Sequence, residues 1–198
     1  MSGGHHDLFA HSYLGWGLMS AGKTINIQGV SEGKHPCYAA GAEAKTLDDA
    51  KTAFVGTGDA HQCKLLVRKL LGAAPAEQGV VAVPQQMPAA ATSRFYIFSY
   101  FFDRLVTGLG LPADQALTLG KIQGEAAAVC ALTSEEVAEK YPASAKYGEQ
   151  AQFCMDVIYE IEILETIYKL DKETKLTLAE KVKGAEASWC LGAILDLL

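Results

Sequence analysis

The most constraining feature of this chain is a stripe of apolar residues near its C-terminal end. Between Phe153 and Tyr168, apolar side chains recur every three or four residues, which is the spacing of one face of an α-helix. The stripe consists of Phe153, Cys154, Val157, Ile158, Ile161, Leu164, Ile167 and Tyr168. It predicts a helix from about Glu149 to Leu170 that packs its wide apolar face against a core.

Three carboxylates accompany this helix and invite an acid–base interpretation. Their spacing places Glu162 and Glu165 on the solvated side, away from the apolar stripe. Glu160 shares a motif with Cys154, but a single carboxylate without a partner does not define a reaction. We therefore assign no catalytic residue among them.

Length and composition limit the possible classes of protein. The chain has 198 residues, 49% of them hydrophobic, which is enough for one domain or for a lobe with an appendage. Its net charge of −6, with 17 dispersed basic residues, argues against a nucleic-acid-binding groove. No apolar run is long enough to span a membrane, and residues 1–6 do not resemble a signal peptide.

The pattern along the chain predicts a helix-rich α+β fold. Most segments show helical periodicity, and few show the alternation of a strand. The predicted helices are Asp7–Ala21, Ala60–Leu71, Ser93–Thr107, Ala113–Leu132, Glu149–Leu170 and a terminal helix, with a capping box at Thr133 and Glu136 opening another. Thr24–Gln28, Val80–Val83 and Lys175–Leu178 are the predicted short strands.

One segment matches the phosphate-loop pattern GxxxxGK[ST] at every position, from Gly17 to Thr24. That pattern binds phosphate only when a strand precedes the loop and a helix follows it. Here the expected order is reversed, so Gly22 is interpreted as the cap of a helix that ends there. A P-loop NTPase remains the third functional hypothesis, testable at Lys23.

Five sequence blocks resemble one known family, and they occur in its order. The blocks are FAHSYLGWGL (Phe9 to Leu18), HPCYAAG followed by GTGDAHQC (His35 to Cys63), FYIFSYFFD (Phe95 to Asp103), CMDVIYE (Cys154 to Glu160) and ASWCLGAILDL (Ala187 to Leu197). They resemble conserved segments of the apyrase family, the ecto-nucleoside triphosphate diphosphohydrolases. The resemblance extends over almost the whole chain.

The resemblance implies a fold and an activity. Members are two-lobed, actin-like and ribonuclease-H-like phosphatases that hydrolyse nucleoside di- and triphosphates with Ca²⁺ or Mg²⁺. Their Asp-x-Gly-Ser phosphate loops and catalytic Glu precede the first of these blocks, and residues 1–198 contain no such pattern. We therefore expect an incomplete fold, a C-terminal lobe that is inactive alone. The alternative is a non-catalytic truncated lobe that acts in binding or association.

The resemblance also implies covalent structure and location. Cys37 and Cys63 occupy the positions of one family disulfide, and Cys130 and Cys154 those of another. Cys190 has no family counterpart and is expected to be a free thiol. Because disulfides persist in oxidising compartments, the parent protein is expected in the secretory lumen, at the cell surface or outside the cell.

Two further site expectations follow from the resemblance. Matching FYIFSYFFD to the family places Phe102 at the position that stacks on the nucleobase, with Tyr100 nearby, while the other aromatics are expected in the core. Gly148 and Glu149 stand where the family often has an Arg, which removes a cation–π partner. No metal ligand is assigned.

The terminal segment 187–198 is expected to be a helix that returns to a missing N-terminal lobe. Trp189 and Gly192 belong to its packing motif, and the segment carries little charge. The expected partners are therefore the nucleotide in the complete enzyme and either that lobe or a second copy of the chain. Neither nucleic acid nor a membrane is expected as a partner.

Overall fold

The computed structural model describes residues 15–72, 95–182 and 184–186, which form short strands and several helices. The first part contains α1 (Leu18–Gln28), β1 (Lys34–His35), β2 (Glu43–Lys45), β3 (Ala53–Gly56) and α2 (Ala60–Gly72). The second contains β4 (Phe95–Ile97), a π-helical segment (Phe102–Gly108), β5 (Ala116–Thr118), α3 (Leu119–Cys130), α4 (Ser134–Lys140), 3₁₀ turns (Pro142–Tyr147 and Gln150–Gln152), α5 (Phe153–Glu162), a second π-helical segment (Ile163–Ile167), β6 (Lys175–Leu178), β7 (Lys181–Val182) and β8 (Ala185–Glu186).

The strands pair into small mixed sheets rather than one large sheet. In the first sheet β3 is central, parallel to β1 and antiparallel to β2. In the second sheet β6 is central, parallel to β4 and antiparallel to β5. Strands β7 and β8 form a short antiparallel hairpin. The predicted mixture of helices and strands is confirmed, with the strands grouped into these small sheets.

Helix α5 lies between two apolar clusters and contributes side chains to both. Phe153, Val157 and Ile161 pack into a cluster with α3, β5 and β6. Ile158 and Tyr159 pack into a second cluster with α1, α2 and the first sheet. Because both sides are covered, nearly every residue of α5 is buried. The predicted core helix is confirmed, although its α-helical part begins at Phe153 rather than at Glu149.

This burial overturns the expectation that Glu162 and Glu165 are solvated. The Glu162 side chain is 1% exposed, and its carboxylate pairs with Lys64 at 3.2 Å and with Arg68 at 2.5 Å. Glu165 is partly buried and pairs with the same two cations. Both cations belong to α2, which packs against α5 and covers the side that the apolar stripe alone leaves free.

Glu160 is buried without such compensation. The residue is 2% exposed, and neither carboxylate oxygen has a hydrogen-bond partner among the residues that the structure describes. Burial raises the pKa of Glu160 well above its ordinary value of 4.5; the nearby Asp156 raises it further, and Arg104 partly opposes the shift. Glu160 therefore keeps its proton to a higher pH than an exposed glutamate does.

The region around Gly22 differs from the prediction. Helix α1 runs from Leu18 to Gln28, so Thr24–Gln28 is helical and Gly22 lies inside the helix. Leu18, Ala21 and Ile25 are buried on one side, and this helical spacing outweighs the β-branched character of the segment. Gly22 packs against Met155, where an added Cβ would lie 3.5 Å from the methionine methyl group.

Two other predicted helices begin with strands. Residues 95–97 of the predicted Ser93–Thr107 helix form β4, and Ala116–Thr118 of the predicted Ala113–Leu132 helix form β5. Both strands pair with β6, so their structure depends on contacts distant in sequence. Local helical spacing does not carry that information.

Several local predictions are confirmed. Helix α2 and strand β6 form where expected, and Thr133 and Glu136 make the complete capping box of α4. Asp59 accepts a hydrogen bond from the Gln62 amide at 2.9 Å and so caps α2. Leu65 of α2 is 45% exposed, whereas Val67 and Leu71 are buried.

Both disulfides that the family resemblance implies are present. Cys37–Cys63 ties the chain after β1 to α2, with Cα atoms 4.8 Å apart. Cys130–Cys154 ties the end of α3 to the start of α5, with Cα atoms 4.7 Å apart. Gly58 lies between them: its φ is +62°, and an added Cβ would overlap the Cys130 carbonyl oxygen at 2.3 Å. Only glycine therefore fits this turn.

Some expectations fall on residues outside the described part of the chain. These are the strand Val80–Val83, the terminal helix 187–198, and the roles given to Trp189, Cys190 and Gly192. Those expectations stay predictions.

We predict that each disulfide stabilises the fold by about 3 kcal/mol, because each closes a loop of similar length, with sequence separations of 26 and 24. The paired changes Cys37→Ser/Cys63→Ser and Cys130→Ser/Cys154→Ser should each lower the urea midpoint. Cys190→Ser is the control and should leave it unchanged. Non-reducing peptide mapping that finds Cys190 in a bridge would contradict the assignment.

We predict that Glu160→Gln raises the free energy of unfolding by roughly 1–3 kcal/mol at neutral pH, and that the gain grows with pH. The folded pKa of Glu160 is raised, so its contribution to stability is full below about 4.5 and is lost as the pH rises through the folded value. Glutamine does not titrate, so the Glu160→Gln variant does not lose this stability as the pH rises.

The matched control is Glu162→Gln on the same helix, which should destabilise the chain because Lys64 and Arg68 lose a buried partner. Urea unfolding at several pH values measures both effects. A Glu160→Gln variant whose stability follows that of the parent chain at every pH would contradict the assignment.

Candidate functional site

The segment Phe95–Asp103 places its aromatic residues on two different elements. Phe95–Ile97 form β4, the chain turns at Ser99, whose φ is +59°, and the following residues enter the helical segment that continues to Gly108. Tyr100 and Phe102 therefore lie at the start of that helical segment. A rigid strand on one side and a helix on the other fix their backbone positions.

The aromatic residues of this segment differ in exposure and in what they pack against. Tyr100 is 46% exposed and Phe102 is half-buried. Phe95 and Phe101 pack against the cluster that α5 shares with α3, and Phe98 stacks on Tyr96 with ring centroids 6.2 Å apart. The structure thus leaves Tyr100 and, in part, Phe102 open to a ligand.

A buried cation lies against the Tyr100 ring. The Arg104 guanidinium carbon is 5.6 Å from the Tyr100 ring centroid and 4.8 Å from that of Tyr147. Both distances are in the range of cation–π contacts. Arg104 is only 3% exposed, so it is buried between elements rather than extended into solvent.

Two further contacts hold Arg104 in place. Its Nε donates to Asp156 Oδ2 at 3.0 Å, and its Nη2 donates to the Tyr147 carbonyl oxygen at 3.2 Å. Burial raises the pKa of Asp156, while the Arg104 charge and hydrogen bond act in the opposite direction. Arg104 therefore compensates a carboxylate that burial would otherwise destabilise.

These contacts change one expectation about the site. Gly148 and Glu149 are exposed, and neither supplies a cation, as the sequence predicts. The cation that contacts an aromatic ring of this segment is Arg104, which the sequence analysis did not select. It lies against the rings of Tyr100 and Tyr147 rather than against a ligand. The spacing in the sequence could have indicated this contact. Arg104 follows Tyr100 by four residues in a helical segment, and side chains at that spacing meet. Asp156 likewise stands inside the CMDVIYE block.

An apolar cleft lies beside the aromatic segment. It has a volume of about 330 Å³ and is lined by β4, by the chain that follows it and by the end of the α5 region. Its lining residues are Phe95, Tyr96, Ile97, Phe98, Phe101, Leu164, Tyr168 and Leu170. Neither Tyr100 nor Phe102 lines the cleft, so it is separate from the Arg104 cluster.

The described residues do not provide a cluster of metal ligands. In the described ranges, no three His, Cys, Asp or Glu side chains are grouped so that they could hold a metal ion. In the same ranges, no helix is long and apolar enough to cross a membrane.

The phosphate-loop match is ruled out by geometry. Helix α1 already begins at Leu18, directly after Gly17, so no loop exists between Gly17 and Gly22 to surround a phosphate. Lys23 is exposed on that helix, and Thr24 Oγ1 donates to the Ser20 carbonyl oxygen at 3.3 Å. The P-loop hypothesis is therefore wrong.

The sequence of this chain is similar to those of several known proteins. A guanosine-diphosphatase of Schizosaccharomyces pombe is 28% identical over 228 residues, covering 100% of this chain and 40% of that protein. Ectonucleoside triphosphate diphosphohydrolase 6 of Homo sapiens is 29% identical over 205 residues, covering 98% of this chain and 39% of that protein. A third relative, ectonucleoside triphosphate diphosphohydrolase 5 of Gallus gallus, is 25% identical over 206 residues, covering 98% of this chain and 44% of that protein.

The chain spans less than half the length of these relatives. The match to a family model is nevertheless continuous, since it extends over residues 1–198. The chain belongs to the GDA1/CD39 (nucleoside phosphatase) family.

Proposed function

We propose that this chain forms the base-binding part of a nucleoside di- or triphosphate phosphohydrolase, a hydrolase acting on acid anhydrides. The observation that carries the proposal is the exposed Tyr100 ring, supported from within the protein by the buried Arg104 and adjacent to Phe102. An aromatic face stacks on any nucleobase, so it gives affinity without strong selectivity.

The printed names of the relatives support this substrate class. They are a guanosine-diphosphatase and two ectonucleoside triphosphate diphosphohydrolases, whose names share a nucleoside bearing a chain of phosphates. GDP and ATP are accordingly the probes of choice. The preferred base is not part of the proposal.

The proposal divides the chemistry between this chain and residues it does not contain. Phosphoryl transfer to water needs groups that hold the phosphates, neutralise their charge and orient the attacking water. Residues 1–198 contain no Asp-x-Gly-Ser loop, and the described residues contain no group of three His, Cys, Asp or Glu side chains that could hold a metal ion. We assign this chain the role of one lobe of an actin-like, two-lobed fold, with Ca²⁺ or Mg²⁺ acting together with the nucleotide in the complete enzyme.

The covalent structure supports a location for the complete protein. Two disulfides within 198 residues require an oxidising environment to form and persist. We propose the lumen of the secretory pathway, the cell surface or the extracellular space. Association with an N-terminal lobe, or self-association through residues 187–198, is a further part of the proposal, supported by the apolar composition of that segment.

We predict that the chain alone releases no phosphate from ATP or GDP above background, with either Ca²⁺ or Mg²⁺, because it lacks a phosphate loop. A phosphate-release assay checks this result. Lys23→Ala is the control, since Lys23 is exposed on α1 and has no role in the proposal. Turnover by the parent chain would contradict the prediction, and Lys23→Ala should leave any such turnover unchanged.

We predict that Tyr100→Ala weakens GDP binding by about 1–3 kcal/mol, the usual contribution of one base-stacking contact, and that Tyr100→Phe retains it. Phe102→Ala should weaken binding in the same direction. Tyr96→Ala is the matched control, because Tyr96 is 40% exposed but lies on β4. Isothermal titration calorimetry measures all four. Binding that is unaffected by both alanine changes would refute the stacking role.

A further inference from the structure

The surroundings of Arg104 are unlike those of the other described ion pairs. Arg68 and Lys64 lie on a partly exposed surface and share two carboxylates, Glu162 and Glu165. Arg104, by contrast, is 3% exposed and has one carboxylate partner together with two aromatic rings. A network that served only charge compensation would not require the rings.

The geometry makes Arg104 a link between a rigid helix and an exposed ring. Asp156 lies on α5, two residues after the disulfide-bonded Cys154, in the most buried helix of the described chain. Arg104 joins this helix to the Tyr147 carbonyl oxygen and to the rings of Tyr147 and Tyr100. The guanidinium group therefore couples the position of the Tyr100 ring to that of Asp156.

Arg104 cannot act on a ligand by direct contact, because its own surface is closed to solvent. The face of the Tyr100 ring that it covers is closed as well, so the exposed part of Tyr100 lies elsewhere on the ring. A positive charge behind a ring also restricts how the ring can rotate, since the cation–π attraction depends on the ring face. A ring held in this way loses less freedom when a base stacks on it.

We propose that Arg104, held by Asp156 and Tyr147, is a positioning residue that fixes the Tyr100 ring as a preformed stacking surface for the nucleobase. This inference rests on the proposed function, because it assigns Tyr100 to the nucleotide. It adds three residues that act through Tyr100 rather than by touching the ligand.

A double-mutant cycle tests the proposal, with GDP affinity as the measured quantity. Arg104→Met should weaken GDP binding roughly 3- to 10-fold in the parent chain and should have no further effect in a Tyr100→Ala background. Arg104→Lys keeps the charge but loses the planar fork, so its affinity should be intermediate. Arg68→Met is the matched control and should leave GDP affinity unchanged.

Loss of Arg104 alone leaves the Asp156 carboxylate, which is only 16% exposed, without its cation and so destabilises the folded chain. The pair Arg104→Met/Asp156→Asn avoids that charge, and it should show the same GDP affinity as Arg104→Met. Tyr147→Leu removes one ring while the ion pair stays, and it should weaken binding less than Arg104→Met does. An equal loss of affinity with and without Tyr100 would show that Arg104 has only a structural role and would overturn the proposal.

A second measurement needs no nucleotide and separates this inference from the proposed function. In chains labelled at tyrosine ring carbons, Arg104→Met should shift the Tyr100 and Tyr147 signals, whereas Arg68→Met should not. Unchanged Tyr100 signals would overturn the positioning role whether or not GDP binds. Shifted signals with no GDP binding in the parent chain would retain the positioning of the ring and reject the nucleotide as its ligand.

Discussion

The packing of α5 between two apolar clusters is the constraint on which the other features depend. A helix with apolar partners on both sides cannot turn its polar residues to solvent, so each polar group on it needs a partner within the protein. Glu162 is paired with the cations of α2, and Asp156 with Arg104. Glu160 is the exception, since its carboxylate oxygens find no hydrogen-bond partner in the described part of the chain. The position of α5 thus determines where the ion pairs of Glu162 and Asp156 form.

The same constraint explains how the binding surface is supported. The Asp156 side chain is only 16% exposed because α5 is packed on both sides, and its carboxylate pairs with Arg104 of the neighbouring helical segment. Once Arg104 is inside, its faces are covered by Tyr100 and Tyr147. An exposed aromatic ring is therefore tied to the interior through one ion pair, although the ring itself contributes little to the core.

The sequence predicted features that depend on neighbours a few residues away. The capping box of α4 and helix α2 each involve side chains within one or two helical turns. It failed where the partner is distant, as in β4, which becomes a strand only because β6 lies beside it. The apolar stripe of α5 was recognised, but periodicity could not show that α2 covers its other side. The disulfide pairs came from family resemblance, since spacing alone leaves the pairing open.

The two disulfides have a consequence for a chain that is cut by a protease. Cys37–Cys63 lies entirely within residues 15–72, and Cys130–Cys154 entirely within residues 95–182, so neither bridge crosses from one part to the other. The two parts are joined in space by α1 and α2 packing on α5 and by the ion pairs of Lys64 and Arg68. A single cut between Gly72 and Phe95 would therefore yield two fragments that stay together in native buffer. In denaturant they would separate even without a reducing agent, each retaining its own bridge.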